Sequence, residues 1–307
     1  MAQYPTNRKK KTFTKWLLIA LALLVVTGSL GFIALFPKAT STLEEIHEPL
    51  TRQVSAKRPE KVALEEKEPL SILLLGVDER ENDKGRSDTI VVLTVNPSTQ
   101  SIKMVSVPRD TYTEIVGFGK HDKVNHAFAF GGAEMSLETI EHLLDIPIDY
   151  VMQVNMEGFK DIIDVLGGIT VTNEFAFDGF SEGEILLSGE DALEYVRMRK
   201  EDPDGDFGRQ NRQKQVLKSI LAKTASANAL FNYSKILDAL GDNVKTNMSF
   251  SEMMDVQSNY RSAIQSIESI SFDRGRGEMM DGIWYYQMDE QELTEVQHLL
   301  KEHLEIE

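Results

Sequence analysis

Between Trp16 and Phe36 the chain runs for 21 residues without a charged side chain, long enough to cross about 30 Å of hydrocarbon as a single helix. Nothing else in the sequence limits the architecture as much. Five cations (Arg8, Lys9, Lys10, Lys11 and Lys15) and no acid precede the run, which favours a cytoplasmic N-terminus and sets everything after Phe36 outside the cell. A cleaved signal peptide is the alternative, with Ala39-Thr40-Ser41 as its small-residue cleavage site. The run is well beyond the roughly 7 to 15 apolar residues of a signal core. We therefore read residues 1–15 as a cytoplasmic tail and 16–36 as the uncleaved signal-anchor of a single-pass type II membrane protein.

Five of the 33 Lys and Arg precede the run and all 49 Asp and Glu follow it, so the part after Phe36 carries a net −21 within a chain of net −16. That balance disfavours nucleic acid as a partner. The absence of cysteine excludes a disulfide scaffold, thiolate zinc sites, an Fe–S cluster and a cysteine nucleophile. Residues 37–69 are charged and proline-punctuated and read as an extracellular stalk.

From residue 70 to 307 the pattern is that of one α/β domain, a central mixed β-sheet flanked by helices. Ser71–Val77 and Thr89–Val95 are Ile-, Leu- and Val-rich runs bounded by polar turns, as strands buried on both faces require. Asn96-Pro97-Ser98-Thr99 turns the chain into a third strand, Ile102–Val107. A helix over 136–145 starts at Ser136, and strands Tyr150–Val154 and Ile169–Thr172 enclose a helix Phe159–Leu166 stopped by Gly167-Gly168. Ser188 opens another helix and Gly208 a long one reaching about Ala225. Helices near Ser234–Leu240 and Ser251–Tyr260, strands near Ile267–Phe272 and Ile283–Gln287, and a last helix from Asp289 to about Leu304 complete the reading.

The residues that do not suit a bland acidic ectodomain are arginines. Seven of the thirteen fall in two windows: Arg80, Arg86 and Arg109, then Arg197, Arg199, Arg209 and Arg212. A guanidinium offers a planar fork of donors that grips phosphate bidentately, which an ammonium does not. In the helix starting near Gly208, Val216, Leu217, Ile220 and Leu221 form the buried stripe, and Gln213 and Arg209 continue it toward the N-terminus. An arginine facing inward needs a partner. That partner is either a phosphate at the helix N-terminus around Asp206-Phe207-Gly208, or one of Asp202, Asp204 and Asp206 in a structural ion-pair cluster that also takes Arg212. Asp78 stands at the carboxyl end of a buried strand and Asp88 at the start of the next, so pairing of the two brings both carboxylates to one edge, able to hold Mg²⁺ or simply to make turns.

Other signals are weaker. His121 and His126 flank Lys123 and Asn125 at a spacing that matches no helical metal-ligand pair and read as loop residues. His298 and His303 fall on the solvated last helix. Gly117-Phe118-Gly119-Lys120 lacks the remainder of a phosphate-binding loop.

Taken together, Leu75-Gly-Val-Asp78-Glu-Arg80, Arg86-Ser-Asp88, Ser106-Val-Pro-Arg109-Asp-Thr, Lys123-Val-Asn125-His-Ala, Leu166-Gly-Gly-Ile, and Arg197-Met-Arg199 followed by Asp206-Phe-Gly-Arg209-Gln-Asn-Arg212-Gln213 resemble the motif set of the LytR-CpsA-Psr family. The segments Arg197-Met-Arg-Lys-Glu-Asp-Pro and Trp284-Tyr-Tyr-Gln-Met-Asp-Glu resemble the teichoic acid transferases within it. The resemblance implies a Gram-positive cell-wall enzyme that transfers a teichoic acid polymer from an undecaprenyl pyrophosphate carrier to peptidoglycan, its lipid tail lying in an apolar tunnel between sheet and helices. It implies that Asp78 and Asp88 hold Mg²⁺ and that Arg109, Arg199 and Arg209 clamp the pyrophosphate, with Asp88 or Asp206 as general base. Arg80, Arg86, Lys123, Asn125, Arg197, Arg212 and Gln213 then orient the substrate. Two other readings share the residues: a pyrophosphatase acting on the same lipid-linked substrate, and a non-catalytic module that binds surface glycans or regulates transcription.

Overall fold

The structure is a computed structural model that describes residues 46–306 except 53, 79–84, 199–201, 204 and 225–242, with the side chains at 206, 207 and 250 also left aside. The expected membrane span, the helix near Ser234–Leu240, Arg80 and Arg199 lie outside the described residues. Among those that are described, no helix is long and apolar enough to cross a membrane.

In chain order the elements are β1 (Leu70–Val77), β2 (Ser87–Asn96), β3 (Ser101–Ser106), β4 (Tyr112–Ile115), β5 (Lys120–Lys123), α1 (His126–Leu144), β6 (Tyr150–Asn155), α2 (Met156–Val165), β7 (Ile169–Asn173), β8 (Gly183–Leu187), α3 (Gly189–Arg197) and α4 (Asp206–Thr224). The remainder are β9 (Val244–Thr246), α5 (Phe250–Asn259), β10 (Ser266–Ile270), β11 (Arg276–Met280), β12 (Ile283–Gln287) and α6 (Glu290–His303). Six strands form one sheet in the order β10-β3-β2-β1-β6-β9. It is mixed: β1 runs parallel to β6, and β3 to β10, while β1/β2, β2/β3 and β6/β9 are antiparallel.

The strand periodicity divides the core in two. Leu73, Leu75, Val77, Ile90 and Val92 pack with Leu137, Ile140 and Leu144 of α1 and Val296 and Leu300 of α6. Leu70, Val91, Leu93, Val95 and Met104 face the other way, toward Met248, Tyr260 and Ala263, with Leu217 and Leu221 of α4 only partly buried against them. A third cluster, built on Ile163, Ile169, Leu187, Tyr195 and Val216, joins α2, α3, α4 and the β7/β8 hairpin. Helices thus cover both faces of the sheet, as the run of buried residues in β1 and β2 demands.

Local chemistry explains several boundaries. Asn96 Oδ1 accepts the N–H groups of Ser98 at 2.8 Å and Thr99 at 3.1 Å, closing the β2/β3 turn. Ser188 and Asp191 form a capping box on α3, and Asp289 caps α6 through the Glu292 N–H. The first helix departs from expectation. It begins at His126, ten residues before Ser136, and is broken at Gly131 and Gly132 (φ 68°, ψ −152°) rather than started there. Ser136 is no cap; its hydroxyl donates to the Gly132 carbonyl at 3.0 Å inside the helix.

The segment expected as a stalk is, from Ile46 onward, packed against the domain. Ile46, Val62 and Leu64 are buried, and Glu48 N–H bonds the Thr246 carbonyl on β9 at 2.8 Å. Arg52 pairs with Glu141, whose carboxylate also accepts the Ile148 N–H at 2.6 Å. Arg58 pairs with Asp149 at 3.0 Å, a carboxylate that further accepts the Ser71 N–H at 2.8 Å and hydroxyl at 2.9 Å. Composition alone could not reveal this, because these arginines and carboxylates look solvated in sequence. His303 departs similarly: it is buried, Nδ1 against Thr94 Oγ1 at 2.7 Å and Nε2 against Ser101 Oγ at 2.8 Å.

Candidate active site

Both aspartates stand at the carboxyl end of β1, Asp78 just past it and Asp88 on the paired strand β2. Gly76 pairs with Thr89 and Val77 with Ser87, so Asp88 is one extra residue on β2 with no partner on β1. Such a bulge re-aims a side chain out of the ladder. Asp78 follows, its N–H on the Arg86 carbonyl at 3.2 Å. Gly85 closes the turn with φ 74°, a conformation that favours glycine, and a Cβ there would lie 2.6 Å from the Asp78 carbonyl oxygen.

After β3 the chain crosses the same edge. Arg109 NH1 pairs with Asp88 Oδ1 at 2.9 Å, with side-chain exposures of 22% and 41%, so the pair is open to solvent and to a competing anion. Arg109 Nε stands 3.6 Å from Asp110 Oδ2, and Lys123 Nζ binds the other Asp110 oxygen at 2.6 Å. Asn125 is buried and donates its N–H to the Arg109 carbonyl at 3.2 Å, while its side-chain Oδ1 is buried without a hydrogen-bond partner. Buried amide oxygens are rarely left so unless a ligand or water completes them. Asp122 holds His126 Nδ1 at 2.8 Å. Partial burial works against ionisation of Asp122, yet the hydrogen bonds from His126 and the Lys123 N–H prevail and its carboxyl lies below the ordinary range.

α4 brings the second arginine window to the first. Asp88, Thr89, Ser106, Arg109, Arg209, Gln210 and Gln213 line one small cleft that opens to solvent. Arg209 is 9% exposed. Arg109 and Arg209, far apart in the chain, therefore face the same space as Asp88.

The other members of the windows part company. Arg212 is buried among the third cluster: its guanidinium pairs with Asp202, donates to the Tyr195 carbonyl at 3.0 Å, and lies over the rings of Phe177 and Tyr195. The Asp202 carboxylate also lies against Gly208, where any Cβ would collide with it. For Arg212 the ion-pair alternative holds, and the substrate-orienting role the resemblance implied does not suit its surroundings. Arg197 is exposed at the end of α3 beside Met156. Arg86 is exposed near the mouth of the β1/β2 turn. The side chain of Asp206 lies outside the described residues.

Sequence reasoning missed Asp110, Thr89, Ser106 and Gln210. Asp110 had a signal, since it follows Arg109 directly and is the acid that ties Arg109 to Lys123. Among the described residues there is no group of three His, Asp or Glu able to hold a metal by itself.

The LytR_cpsA_psr family matches residues 33–302. The chain is 48% identical over 304 residues to the polyisoprenyl-teichoic acid--peptidoglycan teichoic acid transferase TagU of Bacillus subtilis, covering 97% of this chain and 98% of that protein. Among solved structures it is similar to TagT bound to LI-WTA, at 34% identity and TM-score 0.73 over 85% of this chain and 100% of that one. It is also similar to an Enterococcus faecalis protein described as a transcriptional regulator, at 42% identity and TM-score 0.74 over 80% and 92%.

Proposed function

The chain belongs to the LytR-CpsA-Psr family, and from that premise we propose that it moves a teichoic acid polymer from a polyisoprenyl pyrophosphate carrier onto peptidoglycan. One observation carries the reading: Arg109, Arg209 and Asp88 line a single cleft at the carboxyl edge of the sheet, where ligands of open α/β sheets bind. The pyrophosphate lies between the two guanidiniums, whose planar donors grip its oxygens and offset charge as it builds on the leaving group. A hydroxyl of the peptidoglycan glycan attacks the phosphorus that bears the polymer. The bond from that phosphorus to the bridging oxygen breaks, lipid monophosphate leaves with the bridging oxygen, and the hydroxyl proton passes to a base. Asp88, the carboxylate of the cleft, is the candidate for that base. The product is a phosphodiester between polymer and glycan.

Asp78 and Asp88 suit Mg²⁺, which is commonly held by one or two carboxylates together with substrate phosphates rather than by an all-protein cage. Bound there, the ion would polarise phosphoryl oxygens. The lipid tail has a matching surface, since Ile72 and Leu74 of β1, Leu217 and Leu221 of α4, and Ile264 and Ile267 remain only partly buried on one face of the sheet. The sequence supports an anchor at residues 16–36 that keeps the domain on the outer face of the membrane, within reach of such a lipid.

The test uses the full chain in detergent with a synthetic prenyl pyrophosphate glycan, peptidoglycan and Mg²⁺, and weighs the products. Arg109→Ala and Arg209→Ala each lower attachment by roughly 100- to 1000-fold while the protein stays folded. Full activity in both refutes the clamp. Glycan released without acceptor marks a pyrophosphatase instead.

A further inference from the structure

Next to the cleft, joined to Arg109 through Asp110 and Lys123, lies a row of rings that the reaction as drawn does not use. Lys123, bound to Asp110, stands 5.6 Å from the centroid of Tyr285. Tyr285 meets Tyr112 edge-on at 5.1 Å, and Tyr112 meets His121 at 5.4 Å. From Tyr285 the row also continues through Asp122 (3.4 Å) to His126. His126 lies 5.9 Å edge-on from Phe130, which stacks on Phe118 at 4.2 Å with 14° between the planes. Phe118 and Phe130 are 42% and 38% exposed, and His121 is exposed as well.

Three features bear on what would lie along it. Rings alternate with hydrogen-bonding groups (Asp122, Lys123, His121, His126), which matches a sugar ring, with its apolar C–H face and hydroxyl rim, better than a lipid surface. Acids match the cations here, Arg109 with Asp88, Lys123 with Asp110 and His126 with Asp122, so the row offers hydrogen-bonding groups of both signs, as the hydroxyls and amides of an amino-sugar strand require. The row is also continuous with the cleft: Arg109 NH1 faces Asp88 and its Nε faces Asp110, which Lys123 joins to the ring of Tyr285, so a strand along the rings reaches the cleft.

We infer that the surface from Tyr112 and His121 to Phe118, backed by the buried ring of Tyr285, is the docking track for the acceptor, the amino-sugar strand of peptidoglycan. This rests on the transfer reading above, and its test separates the two.

The full chain in detergent is assayed with the prenyl pyrophosphate glycan as donor and with uncross-linked peptidoglycan strands free of teichoic acid as acceptor, and strand binding is measured separately without donor. His121→Ala and Phe118→Ala replace exposed side chains; Tyr112→Ala is paired with Tyr112→Phe, which keeps the ring. Each Ala variant raises the acceptor KM and the strand Kd by about 3- to 10-fold, leaves the donor KM unchanged, and is rescued at Tyr112 by Phe. Unchanged acceptor KM and strand Kd in all three overturn the track. So does weaker binding to anionic phospholipid vesicles alone, which would make the surface a membrane contact. If the wild type binds strands but attaches nothing, and the Ala variants bind more weakly, the track stands and the transfer reading falls. If the wild type binds no strands, the track falls.

Discussion

The two ends of the central sheet use the same pair of groups, arginine and carboxylate, to opposite effect. At the end where β1 begins, the carboxylates of Glu141 and Asp149 are nearly buried, and each takes backbone N–H donors besides its arginine. At the end where β1 stops, the Asp88 carboxylate that meets Arg109 is 41% exposed. A carboxylate with its lone pairs filled by protein is a clamp. A guanidinium whose nearest acid is partly exposed can exchange that acid for phosphate without stranding a buried charge. What decides the role is how completely the surrounding backbone has claimed the pair, and the residue types do not reveal that.

The sharpest way to break this comparison is Arg58→Ala. Burial already pushes the Asp149 carboxyl up despite Arg58, and removing the cation leaves a buried acid uncompensated. The expected loss is about 3–5 kcal/mol in denaturant-unfolding stability, with attachment per folded molecule retained. Arg109→Ala is its mirror, costing no more than about 1 kcal/mol of stability while transfer collapses. If the two variants behave alike in both measurements, the ends do not differ as described.

Acid should act on the clamped end first. Burial chiefly, helped by Lys103, lowers His303 from 6.5 to about 4. Its unfolded form takes up a proton before its folded form does, so stability present above pH 6.5 is lost as pH falls through 6.5 toward 4. Glu252 lies lower still: burial opposes ionisation, but Lys61, Ser249 and Tyr150 outweigh it and bring the carboxyl from 4.5 to about 2. Its contribution is complete above pH 4.5 and lost between 4.5 and 2. Thermal melts from pH 7.5 to 4.5 should fall, and His303→Gln should flatten that fall. A wild-type melting temperature unchanged over the range would count against the buried histidine. The smallest effect belongs to an exposed pair between the ends: Lys103 and Glu268, at 2.7 Å with Glu268 56% exposed. Glu268→Gln should change stability by less than about 1 kcal/mol and transfer not at all, as chemical denaturation and the attachment assay will show.

Much of the sheet could be read in the sequence because β1 and β2 carry Ile-, Leu- and Val-rich runs and a marked turn leads from β2 into β3. β4 and β5 could not. Lys120-His121-Asp122-Lys123 forms a strand with no buried residue, so no apolar alternation marks it. The start of α1 misled for a related reason, since a serine just ahead of Leu137, Ile140 and Leu144 at helical spacing resembles an N-cap. In the candidate site, helical spacing sent Arg209 inward, and it is buried, as is Arg212 beside it on the helix. Three residues on a helix turn through most of a circle, so one reaches the cleft and the other Asp202. Which neighbour each would meet depended on α3 and β2, a tertiary fact that spacing along α4 does not contain.

The seating of residues 46–69 has a mechanical side. Tension arriving along the chain at Ile46 meets the edge strand β9 first, through the contact with Thr246, and then the Arg52 and Arg58 clamps, all before it reaches Leu70. Asp88 and Arg109 sit at the other end of the strands, beyond every one of these fastenings. A tug entering at Ile46 is therefore absorbed where nothing has to move, and the working edge stays slack.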